Sequence, residues 1–551
     1  MYRGPARAGA RRSLGGARRC QRRGQGRSAS REAGRGRCAA VVAQAGGAGA
    51  GADAAGGHRR RRGSRGMSPI GGMNETKQDR GGIKRRDWLL GATLVSGSAV
   101  VPVLAQDGFE QPPEAPPAPQ PAPLAIQQTK LPNGLRIVVL PRPGATRTAI
   151  RLIGDGGWLR DPAGKEGLAE VALAMLAQGA KRDGELMESA DIAYAGDLLG
   201  LPLRLELTPG GAELVLEALP DQCDDAVNLM ADLTQRPTLA FESLEHMRSR
   251  AQDALVLRRA DALLLAPWVA RRAFWGRSQP VQTSASLKRL KREDVLAFHR
   301  QYWRPERTVL LFAGDLSLET ARGLADDFMA DWRVPKAPPP TTTPAVALAS
   351  TTPPGATTPT AQFLQLPQGQ GCRLIVQTAV PRGTPPVLRA LARELMHQRL
   401  ASRLPWPWDS EIESLGGTFC WRMSVTLPVS AVAEQLALLR EQLPMIAAEA
   451  VSPEDLAMAQ ALALGDWQAR LAEAPDELLA RAIAAGELED CQQWPQRVRA
   501  VSAPVLQLLM SASWRDNRTQ LLLIGDAGPP EPAQRAWPGL SLATMRAVIG
   551  E

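Results

Sequence analysis

The chain has 551 residues, of which 44% are hydrophobic and 22% charged, so it is not globally disordered and is long enough for two or more domains. Its formal charge of +10 is local: residues 1–66 hold 17 arginines and two acids, a charge of +15, which leaves −5 for the rest. This distribution argues against a basic nucleic-acid-binding surface on the body of the protein, where we expect no nucleic-acid partner.

Residues 1–66 consist almost wholly of Arg, Gly, Ala and Ser. They hold too few large apolar side chains to offset the entropy cost of ordering, so we expect a disordered extension. One interpretation is an arginine-rich arm that binds RNA or DNA. The other, which we favour, is an upstream extension read from the wrong start, with Met67 or Met73 the true beginning, because a secretion signal follows and such signals work at the N-terminus.

A twin-arginine-type export signal is predicted within residues 67–105. The stretch Lys84–Leu90 (KRRDWLL) resembles the bacterial twin-arginine motif, an apolar run follows, and Val103–Ala105 offers a small-residue cleavage site. An uncleaved membrane anchor is the alternative, but glycines, serines and Pro102 make the run a poor spanning helix. We expect export to the periplasm, a mature chain from about Gln106, and no stable membrane insertion after signal removal.

Two low-complexity stretches divide the mature chain. Residues 106–128 are rich in Pro and Ala, and residues 335–361 are rich in Pro, Thr and Ala, so both are predicted linkers. They delimit two segments of domain size, 129–334 and 362–551.

The cysteines of the mature chain carry no metal or redox signature, because none of them stands in a CxxC spacing. Each is expected to be a small buried residue. Disulfides are permitted in the periplasm, but their pairing does not follow from the sequence. These cysteines are Cys223, Cys372, Cys420 and Cys491.

The two segments are related by an internal duplication. Trp303–Asp315 aligns without gaps to Trp514–Asp526, with eight of 13 positions identical at a constant offset of 211. Each copy follows an amphipathic stretch, residues 293–302 or 503–513, and continues as an apolar run that ends in Gly-Asp. Each copy is therefore predicted to be a helix that leads into a buried strand, with its tryptophan packed in the core.

The first segment opens with a predicted turn and an alternating strand at Leu131–Leu140, because Asn133-Gly134 suits a tight hairpin. We expect Gly371–Val380 to be its weaker counterpart. The predicted fold class is α+β, with two duplicated halves, each a mainly antiparallel sheet with helices packed on one face. Helical patterns between strand and repeat occur at residues 167–178, 241–259 and 475–485.

These landmarks occur in an order that resembles the insulinase and mitochondrial processing peptidase family of the pitrilysin superfamily, over nearly all of the mature chain. The resemblance implies two halves that close like a clamshell around an extended peptide. It also implies a zinc site in a His-x-x-Glu-His motif on a helix of the first half. The landmarks are Leu131–Arg136, Gly167–Ala169, Met175 with Gly179, Tyr302–Pro305 and Gly314-Asp315.

The positions that correspond to this motif do not hold its residues. In the family, two histidines bind zinc and the glutamate activates the metal-bound water. Here the three positions, called the zinc-motif positions below, are Glu170, Leu173 and Ala174. Leucine cannot activate water and alanine cannot bind a metal. Glu170 has two interpretations, a residual charged contact to a peptide or partner, and an ordinary solvated helix face, which we favour.

No shift of the alignment restores the site, because the histidines do not pair at the motif spacing. The family's third ligand, a glutamate, should fall within Asp253–Leu257, where only Asp253 could coordinate a metal. We therefore predict no metal and no cofactor, although zinc is the family's cofactor. The chain's four histidines are His58, His246, His299 and His397.

Zinc-free subunits of the family supply an arginine and a tyrosine that hold the substrate and stabilise the oxyanion. The corresponding positions here are Leu415 and Phe419, and the second half contains no tyrosine at all. Arg403 and Arg422 are the remaining candidates for contact with a peptide carbonyl, but ordinary surface arginines are the favoured interpretation. The chain's tyrosines are Tyr2, Tyr194 and Tyr302.

Trp406 and Trp408 stand in a Pro-Trp-Pro-Trp run near the former substrate loop. They are either a platform for a partner or peptide, or packing against the sheet.

The favoured function is a periplasmic, non-catalytic homologue that pairs with a zinc-bearing paralogue and supplies half of a peptide-enclosing chamber. The alternative is a stand-alone protein for peptide binding or envelope assembly. Residual zinc metallopeptidase activity is the least favoured. The sequence contains neither a phosphate-binding Gly-x-x-x-x-Gly-Lys nor a Gly-x-Ser-x-Gly elbow.

Overall fold

The protein is described by a computed structural model of residues 123–276, 279–333, 360–366, 371–415, 417–514 and 518–549. The predicted extension, the export signal and most of both linkers lie outside these ranges. Within the described ranges, no helix combines the length and the apolar character needed to cross a bilayer.

The first half contains a six-stranded sheet in the order β1-β2-β8-β3-β7-β6 and a two-stranded ribbon, β4-β5. Neighbouring strands of the sheet are antiparallel except for the parallel pair β2-β8. The strands are β1 Gln127–Lys130, β2 Arg136–Pro141, β3 Thr148–Gly154, β4 Gly179–Arg182, β5 Glu185–Glu188, β6 Arg204–Leu207, β7 Ala212–Ala218 and β8 Thr308–Gly314. The helices are α1 Leu168–Leu176, α2 Ser189–Leu198, α3 Cys223–Gln235, α4 Phe241–Ala260, α5 Ala262–Trp275, α6 Ser284–Lys288, α7 Arg292–Tyr302 and α8 Leu318–Met329.

The second half repeats this arrangement in a sheet of order β11-β12-β10-β13-β9-β14, in which the pairs β9-β13 and β9-β14 are parallel. Its strands are β9 Thr360–Gln365, β10 Cys372–Val380, β11 Asp409–Leu415, β12 Thr418–Leu427, β13 Gln520–Gly525 and β14 Ser541–Ala543. Its helices are α9 Pro386–Arg403, α10 Val432–Ala448, α11 Pro453–Glu473, α12 Pro475–Ala485, α13 Leu488–Gln492, α14 Trp494–Ala500, α15 Ala503–Ser513, α16 Pro530–Ala536 and α17 Met545–Ile549. The predicted α+β class with two duplicated halves is confirmed.

The internal repeat lies at equivalent places in the two sheets. Helices α7 and α15 stand at the predicted offset and lead into the central strands β8 and β13. Trp303 and Trp514 are buried at the corner between helix and strand, which confirms their predicted place in the core. The hairpin at Asn133-Gly134 is also confirmed: Gly134 has φ +100°, and Asn133 Oδ1 accepts a hydrogen bond from Leu135 N.

One predicted correspondence between the halves is wrong. β10 lies between β12 and β13 as β3 lies between β7 and β8, so Gly371–Val380 matches the third strand of the first half and not its opening strand. The counterpart of β2 is β9, which is parallel to β13 as β2 is to β8. β9 begins at Thr360, inside the stretch predicted as a linker, where the low-complexity composition conceals the strand.

The halves exchange helices. α5 of the first half packs on the second sheet, where Leu265 and Val269 meet Ile375 and Leu522. α12 of the second half packs on the first sheet, against Val138 and its neighbours. Both faces of each sheet are therefore covered, one by the half's own helices and the other by a helix from the opposite half.

This exchange corrects the prediction of an alternating strand at the start of the first half. The four central residues of β2 are all buried, because one set of side chains faces the home core and the other faces α12. A strand that is covered on both faces has no polar positions to alternate.

Ion pairs attach each exchanged helix to its host sheet. In α12, Asp476 Oδ2 accepts a 2.6 Å hydrogen bond from Nε of Arg151 on β3. In α5, Nε of Arg271 donates a 2.6 Å hydrogen bond to Glu413 of β11. Trp275, also in α5, donates its indole N–H to the Thr418 hydroxyl at 3.0 Å. The two sheets are thus joined by directional contacts as well as by apolar packing.

Candidate functional site

Helix α1 carries the zinc-motif positions, and its start is fixed by a buried carboxylate. The helix begins after Gly167, which has φ +99°. The Asp161 carboxylate accepts hydrogen bonds from the backbone N–H groups of Gly167 and Ala169, both at 2.7 Å. Burial raises the pKa of Asp161 to about 7, against the lowering effect of these two hydrogen bonds. Most of α1 is apolar and buried in the first core.

All three zinc-motif positions line a cavity of about 440 Å³. The cavity lies between α1, β6, the end of α4, helix α5 and the segment after α5. Trp158, Leu205, Leu207 and Trp268 complete its apolar wall beside Leu173. The structure therefore brings Glu170, Leu173 and Ala174 together at one cavity, as the motif alignment implied.

A hydrogen-bonded array crosses this cavity. Gln282 Nε2 donates to Glu170 Oε2, and Gln282 Oε1 accepts from Arg258 Nη1, both at 3.2 Å. The Arg258 guanidinium lies 4.1 Å from the centre of the Trp268 ring, in cation–π geometry. Burial lowers the pKa of Arg258, and the negative charge of Glu170 opposes this effect. Glu170 is thus a partly buried member of a polar array, and the prediction of an ordinary solvated position is wrong.

The side chains at this cavity do not fit a zinc site. Of the three motif positions only Glu170 offers a ligand atom, and it is already bonded to Gln282. The guanidinium of Arg258 stands at the same cavity and would repel a metal cation. Across the described ranges, no group of three or more His, Cys, Asp or Glu side chains is placed to hold a metal ion.

Residues 253–257, where the family's third zinc ligand should fall, place no carboxylate at the cavity. Asp253 is exposed and does not line the cavity. Helix α4 contributes Arg258 to the cavity instead, one residue beyond the window of 253–257. The sequence analysis missed Arg258 because it looked only for a metal-binding carboxylate. The helix spacing was the available signal, because residues three and four apart lie on the same face and Arg258 follows the window within one turn.

The second-half arginines named from the sequence are committed to ion pairs. Arg422 is 3% exposed and pairs with Glu411 and Glu413, so it is not a surface residue. Arg403 at the end of α9 pairs with Glu449 at 2.5 Å. Neither lines the cavity.

The aromatic candidates are packed in the protein. Trp408 is 2% exposed, which contradicts its use as a platform, and Trp406 is partly buried against the second core. Phe419 also packs there and lies 4.0 Å below the Arg389 guanidinium. Leu415, at the lost arginine position, belongs to a small core that Trp158 contacts. The structure therefore places Leu415 near the cavity wall, as an apolar residue.

Comparison with solved structures identifies the fold. A protease from Helicobacter pylori matches with 14% identity and a TM-score of 0.63, over 73% of this chain and 100% of that one. A peptidase M16 inactive domain from Pseudomonas fluorescens matches with 16% identity and a TM-score of 0.59, over 73% and 98%. At this level of identity the likeness establishes the fold, which is that of M16-type peptidases.

A third match compares the length of this chain with that of a larger protease. The periplasmic protease PqqL from Escherichia coli matches with 12% identity and a TM-score of 0.60, over 78% of this chain but only 50% of that one. The first half of the same protease is covered over 96% of its length. The chain thus spans half of the full-length protease.

The sequence also matches a family model directly. Residues 289–371 match the model described as the peptidase M16 inactive domain, and this stretch includes the first copy of the internal repeat. No curated protein sequence matches significantly. This match and the M16-type fold both support the resemblance to insulinase-like peptidases that the landmarks indicated, and the zinc-motif positions of the chain hold other residues.

Proposed function

We propose that the protein is a non-catalytic subunit that pairs with a zinc-bearing insulinase-like chain and supplies half of a peptide-enclosing chamber. The observation that carries the proposal is the cavity, where the M16-type fold is kept but Leu173, Ala174 and Arg258 replace the chemistry of a zinc site. Leucine has no proton to exchange, alanine has no ligand atom, and arginine keeps its positive charge. Substrate hydrolysis in the complex would fall to the partner.

The packing of the two sheets supports a paired state. The chain covers 96% of one half of PqqL and 50% of the whole protease, so its fold corresponds to one half of such a body. The helices exchanged between the two sheets make this chain one unit, which favours closure between two chains over closure within one.

The geometry also supports contact with an extended peptide. β6 is the outermost strand of its sheet, and its residues Leu205 and Leu207 line the cavity. An edge strand can pair with an added peptide strand through main-chain hydrogen bonds, while alternate side chains enter neighbouring pockets. A peptide on β6 would lie beside α1, where the zinc-motif positions are.

Co-expression tests the pairing. The chain from Gln106 onward is purified alone and after co-expression with a zinc-bearing insulinase-like chain from the same cell. We expect a stable 1:1 complex, with zinc and peptidase activity in the complex and neither in the lone chain. As the matched control, replacing the partner's catalytic glutamate with glutamine should abolish activity and leave the complex intact.

Other outcomes would redirect the assignment. Cleavage or stoichiometric zinc in the lone chain would contradict the loss of catalysis. Absence of any complex would contradict pairing and favour the stand-alone binding protein.

Export is part of the proposal, and its signal lies outside the described residues. Replacing Arg85 and Arg86 with lysine should move the protein from the periplasmic fraction to the cytoplasm, because twin-arginine export reads the arginine pair. The matched control is Arg80→Lys, a few residues upstream, which should leave the location unchanged. Equal periplasmic yield of both variants would contradict twin-arginine export.

A further inference from the structure

Two opposite charges at the cavity, on Glu170 and Arg258, make no direct ion pair. Within the described residues, no carboxylate lies at salt-bridge distance from Arg258, and no cation lies at that distance from Glu170. Their contacts are the shared Gln282 amide and, for Arg258, the Trp268 ring. Glu170 acts on Arg258 only across the shared amide, and partly buried charges without a direct ion pair are costly.

The other charged groups at the cavity are already engaged. Asp161 accepts two backbone hydrogen bonds at the start of α1. Glu166 accepts one from the Gly164 N–H at 2.8 Å. Arg271 pairs with Glu413 of the second half. This leaves one carboxylate, Glu170, and one guanidinium, Arg258, available to a ligand.

The rest of the cavity wall is mainly apolar and suits apolar groups of a ligand. Trp158, Leu173, Leu205 and Leu207 offer rings and methyl groups, and Ala174 leaves space where a longer side chain would protrude. Gln279 also lines the cavity. It is 7% exposed, its Nε2 donates to the Pro280 carbonyl, and its Oε1 has no hydrogen-bond partner. A buried acceptor in this state favours a ligand that brings an N–H group.

We propose that this cavity binds a short zwitterionic peptide with apolar side chains, its ammonium group on Glu170 and its carboxylate on Arg258. An anion alone would leave Glu170 unpaired, and a cation alone would leave Arg258 unpaired, whereas a zwitterion satisfies both. The guanidinium suits a carboxylate because it can donate two parallel hydrogen bonds. The volume of about 440 Å³ lies within the range of small-molecule sites and suits two or three residues.

This site is complete within one chain, so it does not depend on the proposed pairing. Every residue that it uses belongs to the first half. In the insulinase family, zinc at this place acts on an internal peptide bond. The groups of this chain would instead recognise the two ends of a free peptide.

Calorimetry on the mature lone chain tests the proposal, with leucyl-leucine as the probe. Two analogues each remove one charge: N-acetyl-leucyl-leucine lacks the ammonium group and leucyl-leucine amide lacks the carboxylate. Each analogue should bind about tenfold to a hundredfold more weakly, the range for loss of a charged hydrogen bond.

Variants assign each end of the peptide. Glu170→Gln should weaken leucyl-leucine and leave the acetylated analogue unaffected, and Arg258→Met should weaken leucyl-leucine and leave the amide unaffected. Glu441→Gln and Arg440→Met, at exposed positions of α10, are the matched controls and should bind like the native chain. Circular dichroism checks that every variant is folded.

The result that overturns the proposal is equal binding of the three peptides, or no binding of leucyl-leucine by the folded native chain. The pairing experiment uses no small ligand, so its failure and the failure of this proposal are separate results.

Discussion

Arg151 provides a quantitative test of how the two halves are joined. It is 2% exposed, and its guanidinium bonds Asp476 of α12 at 2.6 Å, Glu206 at 2.7 Å and Glu213 at 2.9 Å. Replacing Arg151 with methionine would leave Glu213 and Asp476 buried, charged and unpaired. Breaking such a pair by removing one partner costs about 3–5 kcal/mol.

The assay is urea unfolding of the mature chain, followed by tryptophan fluorescence. Arg481→Met is the matched control, because Arg481 pairs with Glu477 on the same helix but is 64% exposed. It should cost about 0.5 kcal/mol or less. Adding Glu213→Gln and Asp476→Asn to Arg151→Met should recover about 1–3 kcal/mol, because the uncompensated charges are then gone.

The pH dependence supplies a second check on the same variant. Burial raises the pKa of Glu213, while Arg151 lowers it, so the pKa should rise further without the arginine. The folded variant then binds protons more tightly than the unfolded chain, and its deficit in unfolding free energy should shrink as the pH falls. A cost for Arg151→Met no greater than for Arg481→Met would refute the assignment of this cluster as the buried link between the halves.

Three further results are expected. Burial lowers the pKa of His299 from 6.5 to about 4, so between these pH values the unfolded chain binds more protons than the folded chain. The free energy of unfolding should therefore fall by about 3 kcal/mol as the pH drops from 6.5 to 4. In urea unfolding, His299→Gln should remove this pH dependence, and His246→Gln, at an exposed position, should keep it. The four cysteines of the described chain are free and buried, so Ellman's reagent should label none in the native mature protein and all four in urea; labelling before unfolding would contradict the packing. A variant with His, Glu and His restored at the zinc-motif positions is compared with the same variant that also carries Arg258→Glu. The second should bind zinc at least about tenfold more tightly in equilibrium dialysis, because the guanidinium no longer repels the metal. Equal affinity would show that the guanidinium does not act on the site.

The local elements could be predicted from the sequence because their signals are local. Helix α12 was placed at Pro475–Ala485 and α15 at Ala503–Ser513, both as the structure has them, since proline starts and apolar periodicity lie within each segment. The duplication was visible because the repeat keeps its spacing. The missing motif histidines and the absence of tyrosine from the second half are properties of composition, and no fold could supply them.

The tertiary structure decided which distant residues meet. Arg151 and Asp476 are 325 positions apart, and nothing near either residue encodes the pair. Arg422 looked like a surface residue because arginine usually is one, but two glutamates of the neighbouring strand compensate its burial. The pattern of the strand at Arg136–Pro141 predicted one exposed face, but α12 of the other half covers that face.

The candidate site divides in the same way. The sequence by itself determined what the site lacks, because Glu170, Leu173 and Ala174 can be read from one motif on one helix. What the site contains was decided by folding, which brings Arg258, Trp268 and Gln282 to that helix from a helix end, a second helix and a loop. Side chains from separate elements meet only when the core has fixed the positions of those elements, so the cavity and the two charges that share Gln282 belong to the tertiary structure alone.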